Sequence, residues 1–516
     1  TPAAGIRAFA IIRTLGRYAE RLVNHDATLK LLSRLRVWVY AHIAPLSPAV
    51  LARYRKGDVL NRLVADVDAL DNAWLRVFSP VAVAIVGTLA IFIFLLFVST
   101  PIAWLNLALL IFIGVALPFA TQRLGREPAR AAAQSAGELK AALTENIAGL
   151  GELAVLGAAP ERMGKGDACS RRLARAQDRG LAAEAIALAA TVLATGVAIT
   201  LTWLLLAPAA SNGDMNPLIL PLLIFLVLSS TEIVQNLPAA FRALGDTLAA
   251  ARRVFSLSDE TPAVIEAPRP LTRIPGYGVG FESVTFRYAS HLEPALIDVT
   301  FELPEGTAMA IVGPSGAGKS SIAQLLLRFH DPNAGLIRVG DQPLENLALE
   351  PLRRQFAWAP QANRLFSTTI RENLRLASPT ADDNRLWSAL EFVGLADEVH
   401  GFGNALDHYV GAGGLALSAG QARRLALARA WLNAAPILLL DEPTEGLDAA
   451  IERRIIKQLA HRRGARSLLL ITHRLNGLEA MDQILVMDRG RIVERGTHDS
   501  LIAANGFYTR MTQYLG

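Results

Sequence analysis

Gly313, Gly318, Lys319 and Ser320 stand in the run IVGPSGAGKSS, directly after the strand-like AMAIVG. Their spacing is G-x-x-x-x-G-K-[ST]. Glycines so placed let backbone N–H groups curl around phosphate oxygens, and the N-terminus of a following helix adds its positive dipole end. Lys319 is positioned to reach β- and γ-phosphates, and Ser320 to hold Mg²⁺. A short pattern like this arises by chance in many chains. The strand–loop–helix context gives it weight.

Further groups with phosphate chemistry follow. PILLLDEP (Pro436 to Pro443) is a buried-strand run ending in two carboxylates. Asp441 would join the Mg²⁺ shell, directly or through water, and Glu442 would polarise an attacking water. Without the glycine-rich loop upstream, both would read as an acidic turn. In LALSAGQARRLALARA, Ser418 and Gly420 precede a helix, a second anion-binding N-terminus. His473 in LLLITHRL follows a strand and can contact a γ-phosphate. Gln361 in WAPQANRLFSTTIRENL can sense that phosphate and Mg²⁺, and Tyr288 in VTFRYAS offers a ring for adenine to stack on. Singly, each is an ordinary loop residue; their joint order carries the reading.

These groups need a scaffold. The chain has 516 residues, 52% of them hydrophobic, too many for one ordinary core, so at least two domains are expected. A net charge of +5 gives no case for nucleic acid. The single Cys169 excludes an internal disulfide framework and a multi-cysteine metal site. The first residue is Thr1, no signal peptide is visible, and the chain reads as truncated at its start.

From Val77 to Gln122 no residue is charged, enough for two membrane helices of about 20 residues each. STP (Ser99 to Pro101) suits a tight turn between them. A second uncharged run covers Ala185 to Gly213, and a third Met215 to Thr231, parted only by Asp214. The intervening segment carries Arg123, Arg126, Arg130, Arg171, Arg172 and Arg175, whereas the turns near Pro101 and Asp214 carry no basic residue. The positive-inside rule puts the basic segment in the cytoplasm. Spans are expected at about 1–24, 77–98, 101–122, 185–207 and 216–238. The first is less apolar and fits a helix lining a wet interior. PLSPAVLARYRKGDVLNRLVADVDAL reads as a cytoplasmic elbow and a helix rising into the membrane. The polar, proline-rich SDETPAVIEAPRPLTRIPGYG suits a linker. Domains are therefore expected at 1–255 (membrane), 256–275 (linker) and 276–516 (soluble α/β).

The ordered set GPSGAGKSS, Gln361, LSAGQ, ILLLDEP, Glu445-Gly446-Leu447-Asp448 and His473 resembles an ABC-transporter ATPase domain. The resemblance implies nucleotide contacts along Pro314, Ser315, Gly316, Ala317 and Ser321 as well, and from Gln421 and Asp448. Two departures are Ala419, where the family usually has glycine, and Ala412 in GAGG, where many relatives carry glutamate. With the preceding spans, the chain resembles an exporter-type half-transporter: an α-helical transmembrane domain of six-helix design, its first helix missing here, then an α/β P-loop ATPase domain. One P-loop and one signature per chain imply a working dimer, with ATP between two ATPase domains. The resemblance places elbows that transmit closure near Pro48 to Arg55 and Gly157 to Arg162.

RTLGRYAERLVNHDATLKLLSRLRVW, PLSPAVLARYRKGDVLNRLVADVDALDNAWLRVFSP and DEPTEGLDA closely resemble the CydC-type subunits of the cytochrome bd assembly exporter. This implies a homologous CydD-type partner in a heterodimer. It also implies export of cysteine or glutathione across the bacterial inner membrane in support of cytochrome bd assembly, and binding of heme b. Heme as the cargo, a lipid or drug exporter, and a soluble ABC ATPase remain as alternatives.

Arg13, Arg17, Arg21 and His25 recur every four residues along one helical face. Spacing alone favours a solvated helix with ordinary ion pairs, such as Glu20 with Arg17 or Asp26 with Lys30. The resemblance implies His25 as an axial ligand of heme iron, with Arg21 and Arg76 as propionate partners. His42 reads as structural or surface. Glu232 should lie at hydrocarbon depth. It either faces the transport path and reads a cationic amine, or bonds inward to a neighbouring helix.

Overall fold

A computed structural model describes residues 2–51, 54, 56–212, 216, 219–289, 291–411 and 414–515. The chain divides into two compact units, Thr1–Pro45 with Tyr54–Glu260, and Leu46–Arg53 with Thr261–Gly516.

The first unit is helical. Its main elements are α1 (Pro2–Ile43), α2 (Ser79–Val98), α3 (Thr100–Ile111), α4 (Leu117–Ala148), α5 (Ala159–Ser211), α6 (Ile219–Val234) and α7 (Leu237–Ser258). Prolines occupy the first turns of α2, α3, α4, α5 and α7, where a missing N–H costs nothing. Ser99 is extended (φ −161°, ψ 106°) and breaks α2 from α3 at the expected turn. Among the described residues, four helical stretches are long and apolar enough to cross a membrane: Arg76–Val98, Thr100–Arg123, Ala159–Pro208 and Ile219–Ser258. α1 is not among them, because its arginines and other polar residues interrupt the apolar run.

Between apolar helices in lipid, close backbone approach and polar contacts hold the bundle. A Cβ on Gly87 of α2 would lie 2.9 Å from Ile233 Cγ2, and one on Gly114 2.9 Å from Leu237 Cδ1. Ser230 Oγ donates to Asn106 Oδ1 at 2.8 Å, both residues buried, joining α6 to α3. Arg253 on α7 forks onto buried Asp66, with Nε to Oδ2 at 2.8 Å and Nη2 to Oδ1 at 2.6 Å. α7 runs to Ser258, past the boundary expected at 255, because Ala250, Val254 and Leu257 extend one fully buried stripe.

The second unit holds β1 (Val279–Phe286), β2 (Leu296–Leu303), β3 (Ala308–Val312), α8 (Lys319–Leu326), β4 (Ala334–Val339), β5 (Gln342–Pro343), β6 (Phe356–Ala359), α9 (Ala419–Leu432), β7 (Ile437–Asp441), α10 (Ala449–Arg462), β8 (Ser467–Thr472), β9 (Gln483–Asp488) and β10 (Arg491–Gly496). A four-stranded antiparallel sheet has the order β2-β1-β4-β5. A six-stranded sheet has the order β10-β9-β3-β8-β7-β6, parallel from β9 to β6. β3, β7 and β8 are buried at every residue, as the runs AMAIV, ILLLD and SLLLIT require of central parallel strands. The expected linker is tied down over part of its length. Leu271 bridges to Leu347, and Glu266 Oε1 accepts from the Leu349 N–H at 2.6 Å.

The expected elbow near Pro48 contains a short helix, Ser47–Leu51; Ala52, Arg53 and Arg55 lie outside the described residues. Near the other elbow, Gly157 turns the chain with φ +64° between the helix Leu150–Val155 and α5.

Candidate active site

Strand order collects the phosphate chemistry. In open parallel sheets ligands bind beyond the carboxyl ends of the strands. Just past those ends stand the glycine-rich loop after β3, His473 after β8, Glu442 after β7 and Gln361 after β6, and these four strands are neighbours. Residues far apart in the chain thus form one row.

The loop's backbone fits only glycine at two points. Gly313 has φ +155° and Gly318 φ +95°, and a Cβ on either would come within 2.2 Å of a carbonyl oxygen, of Met487 and Ala295 respectively. Gly318 caps α8, so the helix N-terminus opens onto the loop. Pro314, Ser315 and Gly316 are exposed along its crest and Ala317 is buried beneath. The Lys319 ammonium lies against the loop, donating to the Gly313 and Pro314 carbonyls at 2.9 and 2.8 Å. Burial lowers its pKa, and the charges of Glu442 and Asp441 oppose that shift.

Asp441 offers the fit for a cation. Its Oδ1 is buried without a hydrogen-bond partner. Burial pushes its carboxyl up to about 6, against a hydrogen bond from Ser320 that favours the ionised form. Hydroxyl and carboxylate meet as oxygen ligands suited to Mg²⁺. Glu442, 9% exposed, takes the left-handed region at φ +49° while its N–H bonds the Ile471 carbonyl at 2.8 Å. Gln361 Nε2 donates to its Oε2 at 3.3 Å, and His473 Nδ1 lies 3.1 Å from its Oε1. A carboxylate held between an amide and an imidazole can orient and polarise a water.

Tyr288 sits edge-on to Phe286 and His330, with ring centroids 4.8 and 5.3 Å away. Its hydroxyl bonds Ser321 Oγ at 3.0 Å, which engages the Ser321 side chain, and burial raises its pKa. The ring remains partly exposed for a base. At α9, Ser418 and Gln421 form a reciprocal cap: the Gln421 N–H donates to Ser418 Oγ at 3.2 Å and the Ser418 N–H to Gln421 Oε1 at 2.8 Å. Gln421 Nε2 also donates to Glu398 at 2.7 Å, so its side chain is engaged in shaping the helix start. Gly420 lies in the first turn beside Leu447, with Ala419 before it. Asp448 caps α10, accepting from the Ala450 N–H at 2.8 Å. Ala412 lies outside the described residues.

Sequence reasoning missed Glu452. Fully buried on α10, it accepts from Thr444 Oγ1, Arg474 Nη1 and Asn476 Nδ2 at 2.8, 2.8 and 2.9 Å. It braces the loops carrying Glu442 and His473 from behind. The available signal was a carboxylate on the same helical stripe as Ile455, Ile456 and Leu459.

In the first unit, Arg21 and His25 are exposed on α1, and Arg76 is exposed in the π-helical turn Trp74–Phe78. The side chains of Arg13, Arg17 and Glu20 lie outside the described ones. Lys30 pairs with Asp26 at 2.7 Å, so the helix carries one of the ordinary ion pairs that spacing favoured. His42 Nδ1 bonds the Trp38 carbonyl at 2.8 Å, a structural role. Among the described residues His25 shows no hydrogen bond, and no cluster of three or more His, Cys, Asp or Glu forms a metal site.

Comparison with known proteins agrees with this geometry. Residues 296–445 match the family model "ABC transporter" and residues 3–232 "ABC transporter transmembrane region". A bacterial Atm1-family ABC exporter with ATP bound superposes with a TM-score of 0.84 at 26% identity, covering 96% of this chain and 86% of that one. The glutathione/L-cysteine transport system ATP-binding/permease protein CydC of Escherichia coli is 38% identical over 100% of this chain and 89% of its own length. The chain belongs to the CydC-type ABC exporter subunits. CydC of Haemophilus influenzae, with the same description, is 36% identical over 99% of the chain and 89% of its own length. As a CydC-type subunit the chain is a multi-pass protein of the inner membrane that couples hydrolysis of ATP, with Mg²⁺, to transport.

Proposed function

We propose that the chain exports a small thiol, glutathione or cysteine, as one subunit of a heterodimer with a CydD-type partner, in support of cytochrome bd assembly. The observation that carries this is its full-length similarity to two proteins described as glutathione/L-cysteine transport subunits. Glu442 polarises the attacking water. Gln361 and His473 hold that carboxylate and meet the γ-phosphate, while Lys319 neutralises phosphate charge. Ser320 and Asp441, with Gln361, hold Mg²⁺. Tyr288 stacks on adenine. Ser418 and Gly420 present the N-terminus of α9 to the nucleotide held by the partner's loop, and closure of that sandwich drives the membrane helices.

The side-chain types of His25 and Arg21 on α1, and of Arg76 in the turn Trp74–Phe78, suit heme b. His25 offers an exposed imidazole to iron, and Arg21 and Arg76 offer planar guanidinium groups to the propionates. In this reading heme is a bound regulator of the exporter.

The test is ATP-driven uptake of labelled glutathione, cysteine and heme into inverted vesicles holding both subunits. Accumulation of either thiol is expected. Accumulation of heme without a thiol would make heme the cargo, and accumulation of none would overturn the cargo reading.

A further inference from the structure

Glu232 carries a carboxylate into a helix that is otherwise built for lipid. It lies about 20 Å along α6 from Ile219, at about 1.5 Å per residue, well inside the hydrocarbon layer. The structure decides which way it points. Leu223, Val227, Ser230 and Val234 form the buried stripe of α6. Two contacts fix how α6 is rotated: Ser230 Oγ to Asn106 Oδ1 at 2.8 Å, and the partly buried Ile233 against Gly87, which leaves no room for a Cβ. Glu232 is two residues from Ser230, about 200° around the helix, and is exposed. Among the described residues, Glu232 therefore does not turn inward onto a neighbouring helix.

Glu232 is not isolated in its polarity. Ser229 lies one turn before it, and Gln235 and Asn236 one turn after it, all exposed. Asn236 keeps helical dihedrals (φ −85°, ψ −10°) as the chain passes into α7, so the patch continues one face across the break. An ionisable side chain at this depth is costly against lipid and is normally found facing a water-filled path. The patch has a defined chemistry: one carboxylate accepts from a cation, while two amides and a hydroxyl can donate to an anion.

We infer that Ser229, Glu232, Gln235 and Asn236 form a subsite in the transport path that reads the zwitterionic end of an amino-acid thiol. Glu232 accepts hydrogen bonds from the substrate's α-ammonium group, and the amides donate to its carboxylate. This rests on the thiol-export reading and deepens it, because it makes the amine, rather than the sulfur, the recognised group.

The probes are cysteine and N-acetylcysteine, which keep the same thiol and carboxylate but differ in the cation. Uptake is measured in inverted vesicles holding the complete subunit pair. The wild-type pair is expected to take up cysteine in strong preference to N-acetylcysteine. Glu232→Gln should raise the KM for cysteine by about 10- to 100-fold, the effect of losing a hydrogen bond to a charged group, and should erase that preference. Glu232→Asp, which keeps the charge, should retain it. Equal uptake of the two compounds by the wild-type pair would overturn the subsite while leaving thiol export standing, and needs no variant to fold. A cysteine preference undiminished in Glu232→Gln would overturn it equally. Failure of the wild-type pair to move cysteine or glutathione would remove the export reading, and the subsite with it.

Discussion

His473 Nδ1 lies 3.1 Å from Glu442 Oε1, although the two residues end different strands. β7 and β8 run parallel and adjacent, with Asp441 in register with Ile471, so the residue after each strand emerges at one edge. The second oxygen of Glu442 is met by Gln361 from the end of β6. The carboxylate is thus oriented from both sides.

Glu442→Gln removes the base and preserves the shape. ATP hydrolysis by the assembled transporter should fall by about 10²- to 10⁴-fold, the usual contribution of a positioned general base. Nucleotide binding should persist, since the glycine-rich loop and Lys319 are untouched. Phosphate release and equilibrium ATP binding measured on one preparation separate the two effects. Sustained hydrolysis would contradict the assignment.

Asp441 makes the soluble unit's stability depend on pH. Its carboxyl is raised from 3.8 to about 6 by burial. Between those values the unfolded chain has released a proton that the native state retains. The contribution is therefore fully present below about pH 4 and is lost as pH rises through about 6. A shift of about two units corresponds to about 3 kcal/mol. Asp441→Asn should raise the melting temperature of the nucleotide-free protein at pH 8 and raise it far less at pH 4. An equal gain at both pH values would contradict this linkage.

The phosphate-binding elements were legible in the sequence because each is local: a glycine spacing, a strand ending in two carboxylates, a serine before a helix. What gathers them is not local. Nothing in the runs around Gln361, Glu442 and His473 states that β6, β7 and β8 are neighbours. Glu452 stayed hidden because its three donors come from two loops distant in the chain, Thr444 from one and Arg474 and Asn476 from the other. The reach of α7 past residue 255 was obscured by Ser256, Ser258 and Asp259. The buried stripe through Val254 and Leu257 outweighs these polar neighbours. On α1 the four-residue periodicity placed Arg21 and His25 on one face. Periodicity carries no information on what that face meets.

Gly318→Ala tests the loop's backbone. Its φ of +95° is unfavourable for any residue with a Cβ, and that atom would lie 2.2 Å from the Ala295 carbonyl oxygen. The loop must shift, and the N–H groups aimed at phosphate shift with it. ATP affinity should fall by at least about tenfold, the equivalent of about 1.4 kcal/mol. The melting temperature of the membrane unit should stay unchanged. ATP binding at wild-type strength would show that the backbone at this position is not what cradles phosphate.

Glu452 permits a sharper comparison between two substitutions. Its Oε2 accepts from Arg474 Nη1 and Asn476 Nδ2, and both are obligate donors. Among the described residues its Oε1 accepts from the Thr444 hydroxyl alone, which can reverse and accept instead. Glu452→Gln can therefore keep every partner satisfied by turning its amide nitrogen toward Thr444, losing about 1–2 kcal/mol of charge assistance. Glu452→Ala leaves Arg474, which is partly exposed, with only the Leu447 carbonyl and opens a buried void; lost hydrogen bonds and the cavity together should cost about 2–5 kcal/mol. Because Arg474 adjoins His473 and Thr444 lies two residues after Glu442, the alanine variant should also lose ATPase activity at temperatures where it remains folded. Chemical denaturation of both variants, read on the soluble unit, separates them. Equal destabilisation would mean that the hydroxyl of Thr444 is fixed as a donor.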